Sequence, residues 1–117
     1  MRGDAGRAAG RLCVVGQTLK VWDLASGRVE ATLDGHADGV LACAVTRDGR
    51  RVVSASADGT LKVWDLASGR AEATLEGHEF GVTACAVTPD GRRVVSASAD
   101  GTLKVWNPSS GCAEATL

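Results

Sequence analysis

The segment Val40 to Leu75 reads VLACAVTRDGRRVVSASADGTLKVWDLASGRAEATL, and most of it is written twice in this chain. Asp48 to Trp64, DGRRVVSASADGTLKVW, returns letter for letter as Asp90 to Trp106. Thr60 to Leu75 has its own earlier copy in Thr18 to Leu33, altered only where Val29 stands for Ala71. Trp22, Trp64 and Trp106 therefore fall forty-two residues apart. A fixed period of this size marks a propeller, a solenoid or an array of small units, and it governs the reading of every single residue.

Inside one unit the periodicity is that of strands. Val40 to Thr46 is an almost unbroken apolar run, which predicts an innermost strand buried on both faces. Arg51 to Ala57 predicts a second strand, the alternating Thr60 to Trp64 a third, and Ala71 to Leu75 a short fourth. Asp48-Gly49 and Ser68-Gly69 carry turn chemistry, and Asp58-Gly59 reads as a two-residue hairpin turn with positive φ. The sequence thus predicts an all-β chain of four-stranded antiparallel blades.

The Gly-His pairs (Gly35-His36, Gly77-His78) and the Trp-Asp pairs (Trp22-Asp23, Trp64-Asp65) resemble the tryptophan-aspartate (WD) repeat family of β-propellers over residues 17 to 117. The near-identity of the units is also similar to the repeats of bacterial sensor ATPases of the apoptotic-ATPase type. The expected organisation is a poorly ordered arm at 1–11, a partial blade at 12–33, and complete blades at 34–75 and 76–117. Leu12 to Val15 reads as a remnant second strand, so the first blade lacks its apolar innermost strand. Propellers close with about four to eight blades. Under three blades make an incomplete propeller, and the sequence predicts a homo-oligomer, two copies in a six-bladed ring or three in a nine-bladed one.

His36, Ser54 and Asp58, repeated as His78, Ser96 and Asp100, have the composition of a hydrolase triad. Recurrence at one phase in each blade argues instead for a shared structural part. The resemblance implies a hydrogen-bonded tetrad of His36, Ser54, Asp58 and Trp64, with His78, Ser96, Asp100 and Trp106 in the next blade. Elementary accounting agrees: an Asp beside a buried turn needs donors, which His and the indole N–H supply, while Ser both donates and accepts. Alternation puts Ser54 and Ser56 on the same strand face, so spacing alone does not choose between them.

Formal charge is −1, which gives no electrostatic case for nucleic acid or an anionic membrane as partner. No apolar stretch reaches membrane-spanning length. Cys13, Cys43, Cys85 and Cys112 lack metal-site spacing, and no cofactor motif is present. Cys43 and Cys85 occupy equivalent places in apolar strands and read as small buried thiols of a reducing, cytoplasmic compartment; Cys112 reads as an exposed one. Asp65 reads as a turn cap, and Arg50-Arg51 and Arg92-Arg93 as solvated turn residues. Arg2-Gly3-Asp4 spells an integrin-binding tripeptide, a match short enough to arise by chance.

The expected function is a non-catalytic protein–protein interaction scaffold or sensor module. Its partner surface is placed on the loops between blades, at Asp38, Glu79 and the one phenylalanine, Phe80. The alternatives are a hydrolase using one His/Ser/Asp set, or a truncated piece of a larger protein without independent function.

Overall fold

The computed structural model describes residues 11–16, 18–36 and 38–117. The predicted arm and its Arg2-Gly3-Asp4 lie outside them, except for Arg11, which opens the first strand. Among the described residues eleven strands form three antiparallel sheets in chain order. The first blade holds β1 (Arg11–Val14), β2 (Leu19–Asp23) and β3 (Arg28–Leu33). The second holds β4 (Val40–Val45), β5 (Arg51–Ser56), β6 (Thr60–Asp65) and β7 (Arg70–Glu76). The third holds β8 (Val82–Val87), β9 (Val94–Ser98), β10 (Leu103–Asn107) and β11 (Cys112–Thr116). β1 pairs with β2 as a second strand pairs with a third, with Leu12 opposite Trp22 as Val52 is opposite Trp64.

The turn between β5 and β6 differs from the expected two-residue form. Residues 57–59 make a three-residue loop in which the Gly59 N–H donates to the Ser56 carbonyl at 3.1 Å and Gly59 takes φ +90°. A turn followed by one left-handed residue fits the strand twist, and glycine adopts that conformation without steric cost.

The sheets stack face on face, and the alternation of each strand decides what meets what. On the second blade, Val53, Ala55, Leu61, Val63 and Leu75 point forward and are buried beneath Val82, Val94 and Trp106 of the third. Its Val40, Val52 and Trp64 point backward onto Leu19, Val21 and Leu33 of the first. Each leucine so buried contributes about 1.5–3 kcal/mol.

The innermost strands are less enclosed than the apolar runs predict. Most of β4 is half-buried, with Leu41 46 % exposed at a register shift, and β8 is more open still. An inner strand is covered on both faces only when a blade stands on each side, and among the described residues β8 has one only behind it.

Candidate functional site

Between the first two blades a string of polar side chains runs through the apolar seam. His36 lies in the link from β3 to β4, Ser54 on β5, Asp58 in the β5–β6 loop and Trp64 on β6. The Trp64 indole N–H donates to Ser54 Oγ at 2.8 Å. His36 Nε2 is 2.6 Å from the same oxygen, and Nδ1 is 3.1 Å from Asp58 Oδ2. The proton positions follow from what each group can do. An indole only donates and a carboxylate only accepts, so the Ser54 hydroxyl donates to Nε2 and the Nδ1–H donates to Asp58.

The third blade repeats the string on its own residues. Trp106 donates to Ser96 at 2.8 Å, His78 Nε2 is 2.7 Å from Ser96 Oγ, and its Nδ1 is 2.9 Å from Asp100 Oδ2. The indoles also meet the imidazoles edge-on, with ring centres 6.4 Å apart in one blade and 6.1 Å in the other.

Ser54, and not Ser56, is the serine of the string. Ser56 instead donates to the carbonyls of Asp38 and Gly39 at 3.2 and 3.0 Å and accepts the Asp58 N–H, holding the incoming loop to the turn. Thr60 is a fifth member absent from the sequence reading. Its hydroxyl donates to Asp58 Oδ1 at 2.6 Å and its N–H to the same oxygen at 2.8 Å, as Thr102 does for Asp100. The repeated Asp-Gly-Thr wording was the available signal.

The glycine before each histidine has a steric reason. A Cβ at Gly35 would come within 3.0 Å of Trp64 Cη2, and one at Gly77 within 3.1 Å of Trp106 Cη2. The chain passes over the indole edge at a distance that leaves no room for a side chain.

Burial shapes the electrostatics. Desolvation pulls His36 below its ordinary pKa, opposed by the hydrogen bond and charge of Asp58, with Lys62 adding to the lowering. The Thr102 hydroxyl, together with His78 and the N–H groups of Thr102 and Glu79, holds the Asp100 carboxyl well below the usual carboxylate range against the cost of burial.

Asp, His and Ser are thus connected in the order of a hydrolytic triad. The serine, however, is occupied and enclosed. Ser54 and Ser96 are each 0 % exposed, and their oxygens already accept an indole N–H.

The side chains of the remaining predicted positions lie outside the string, which Glu79 reaches through its backbone N–H, donating to Asp100 Oδ2 at 3.1 Å. Asp38, Glu79 and Phe80 are exposed on the links between blades, Phe80 at 61 %. The carbonyls of His78 and Phe80 pass 3.3 and 3.5 Å from where a Gly59 Cβ would stand, so Phe80 belongs to a link packed on the preceding blade's turn. Asp65 accepts from Ala67 N–H and Ser68 Oγ, and Asn107 accepts from Ser109 N–H in its stead. Arg51 and Arg93 reach across their sheets to Glu72 at 2.6 Å and Glu114 at 2.5 Å.

For one cysteine the structure corrects the sequence reading. Cys43, expected as a small buried free thiol, instead forms a disulfide with Cys13 across the first seam, with Cα atoms 6.4 Å apart. Cys85 is free and half-buried, its thiol pushed up to about 12 by burial, and Cys112 is free and exposed.

Stacked antiparallel sheets, the two four-stranded ones each tied internally by a Trp–Ser–His–Asp string and packed on their predecessors through apolar side chains, define a repeat-built β-propeller array. A family model described as WD domain, G-beta repeat matches residues 27–65 and 69–107. These matches cover more than half of the chain, which belongs to the WD40 repeat family. Each match starts beside the outer strand of one blade and ends with the third strand of the next, so the sequence unit straddles a seam. A comparison with curated proteins found no significant match. Repeats of this family generally mediate protein–protein interaction and generally act as non-catalytic scaffolds.

Proposed function

We propose that this chain is a non-catalytic binding module whose polar strings hold each blade together and whose inter-blade links meet a protein partner. The observation that carries this reading is the enclosure of both serine hydroxyls, each spent on an indole and an imidazole within its own blade. A nucleophile needs an approach path for a carbonyl and donors for the resulting oxyanion. A hydroxyl at 0 % exposure that already accepts an indole N–H offers a substrate no approach.

Recognition falls on Asp38, Glu79 and Phe80, where an exposed aromatic flanked by a carboxylate makes a contact anchor. The likeness to bacterial sensor ATPase repeats supports a sensor-type role within that class. Self-association into a closed ring of blades belongs to the same reading.

The test has two arms. A serine-reactive fluorophosphonate should leave Ser54 and Ser96 unlabelled in the native chain; labelling of either would overturn the scaffold reading. Partner capture from extract, followed by mass spectrometry, should be lost in Phe80→Ala while the thermal midpoint stays unchanged. Capture that is indifferent to Phe80→Ala and to Glu79→Ala would remove this rim from the proposal.

A further inference from the structure

Charge is sorted along the blades. Register sets Arg51, Asp65 and Arg70 side by side at one end of the second sheet, with Val40, Ser56, Leu61 and Leu75 toward the other. That other end, where the links between blades run, carries Asp34, Asp38, Glu76 and Glu79 and, among the described residues, no arginine. The arginines stand instead at the end formed by the turns after β2, β4, β6 and β8.

These arginines fall into two groups. Arg51 and Arg93 are spent on Glu72 and Glu114. Arg28, Arg47, Arg50, Arg70 and Arg92 are exposed, and among the described residues none of their guanidinium groups makes a hydrogen bond or an ion pair. The aspartates of the same turns are occupied. Asp23, Asp48, Asp65 and Asp90 each accept the N–H two residues on and a hydroxyl of their own turn. This end therefore offers a partner unspent guanidinium, a planar and weakly hydrated cation whose paired donors match a carboxylate.

Two of the unspent groups, Arg47 and Arg50, bracket the Asp48-Gly49 turn of the second blade, and a hollow opens on each side of it. One, of about 550 Å³, lies toward the first blade among Glu30, Arg50, Arg51, Asp65, Leu66 and Glu72. The other, of about 470 Å³, lies toward the third blade among Thr46, Arg47, Arg51, Pro89 and Asp90. Arg51 lines both, so the hollows adjoin. Nothing stands within 4 Å of where a Gly49 Cβ would be, which leaves the tip of the turn open between them. The third blade has Pro89 in place of Arg47 and Cys112 in place of Arg70, so the unspent cations are densest on the second.

We infer that this end of the second blade receives an acidic segment of a partner protein, whose carboxylates meet Arg47 and Arg50 and whose chain crosses the turn from one hollow to the other. The surface lies opposite the Phe80 rim and does not depend on it. The lining favours a peptide over a nucleic acid. Asp65, Glu72 and Asp90 stand among the cations, so a strand charged at every unit would set some of its phosphates against them. A peptide spaces its carboxylates and lays neutral residues beside the fixed acids.

The test uses the full chain and a short fluorescein-labelled peptide of alternating glutamate and glycine, read by fluorescence anisotropy. The peptide should bind, and its lysine counterpart should not. Arg47→Gln with Arg50→Gln should weaken binding about tenfold, the size expected for two exposed ion pairs, with an unchanged circular dichroism spectrum. Phe80→Ala should bind the peptide as the wild type does. No binding of the glutamate peptide overturns the inference, and so does binding that survives the double change or is lost in Phe80→Ala. Oligothymidine that binds more tightly than the peptide, and is lost in the same double variant, overturns the protein partner in favour of nucleic acid.

If the double variant fails to fold, phenylglyoxal modification of the wild type decides. The glutamate peptide should slow modification of Arg47 and Arg50, read by mass spectrometry, and modification of both at the unprotected rate overturns the assignment. Every one of these results leaves partner capture through Phe80 as a separate question.

Discussion

Cys13 of β1 and Cys43 of β4 are bonded at the place where the next seam sets Cys85 against Val53. The register makes the equivalence plain. Cys13 pairs with Val21 as Val53 pairs with Val63, and Cys85 is the forty-two-residue repeat of Cys43, its sulfur 3.8 Å from the Val53 carbonyl. One seam therefore carries a covalent clasp, and its neighbour carries half of one.

Val53→Cys should complete the second clasp. Mass spectrometry under non-reducing conditions should find a Cys85 disulfide at position 53 once a small-molecule disulfide such as oxidised glutathione is supplied. Closure should be slow near neutral pH, because the buried Cys85 thiol, pushed up to about 12, is rarely a thiolate. Conversely, Cys13→Ser should lower stability by about 3–4 kcal/mol, the loop-closure entropy of a bridge spanning some thirty residues, measured by denaturant unfolding without reductant.

Asp58→Ala removes the only pure acceptor of its string and leaves the His36 N–H and the Thr60 hydroxyl and N–H in search of partners. A loss of about 1–3 kcal/mol is expected, read as a fall in the denaturant midpoint. Thr60→Val should cost less, since it withdraws a donor and leaves the carboxylate bound to His36. An unchanged midpoint in Asp58→Ala would refute the structural role of the string.

Stability should depend on pH through His36. Its folded pKa lies below the unfolded value of 6.5, so in the interval between them the unfolded chain binds the proton first. The contribution is complete above 6.5 and declines as pH falls toward the folded value, then levels. Asp100 adds a later stage: its depressed carboxyl stabilises the fold above the ordinary carboxylate range and loses that effect as pH falls through its folded value. Denaturant midpoints against pH should show both stages, and His36→Gln should flatten the upper one.

Gly77→Ala should destabilise although the added group is one methyl. Its Cβ would stand 3.1 Å from Trp106 Cη2, and that indole is 1 % exposed and fixed by Ser96, so it cannot yield freely. Overpacking of this kind costs about 1–3 kcal/mol, detectable as a lowered thermal midpoint. Gly35→Ala should behave alike against Trp64.

The blades were legible because repetition and alternation act locally. Val52 and Val53 must face opposite ways, and the letter-for-letter copy at Val94 and Val95 must do the same. The choice of Ser54 over Ser56 was not fixed by alternation, since both share a face; the position of His36 in the incoming link decides it. Thr60 escaped notice because its role depends on the Asp58 carboxylate folding back over its own turn. The disulfide was hidden more deeply. The hairpin after Cys13 is two residues shorter than its later counterparts, a shift in register that moves Cys13 into the place of Val53, and only the paired strands reveal it. Val40 to Thr46 was overrated as core: β4 is mostly half-buried, and among the described residues the first blade sets no innermost strand against it.

That each sequence unit starts in one sheet and ends in the next has an evolutionary reading. A tandem copying event forty-two residues long would import, in one stroke, the backward tryptophan of a new sheet and the forward leucines that the following sheet will cover. Every junction so created matches those already present, and such a gene can lengthen or shorten by whole units while the protein it encodes keeps the same joints throughout.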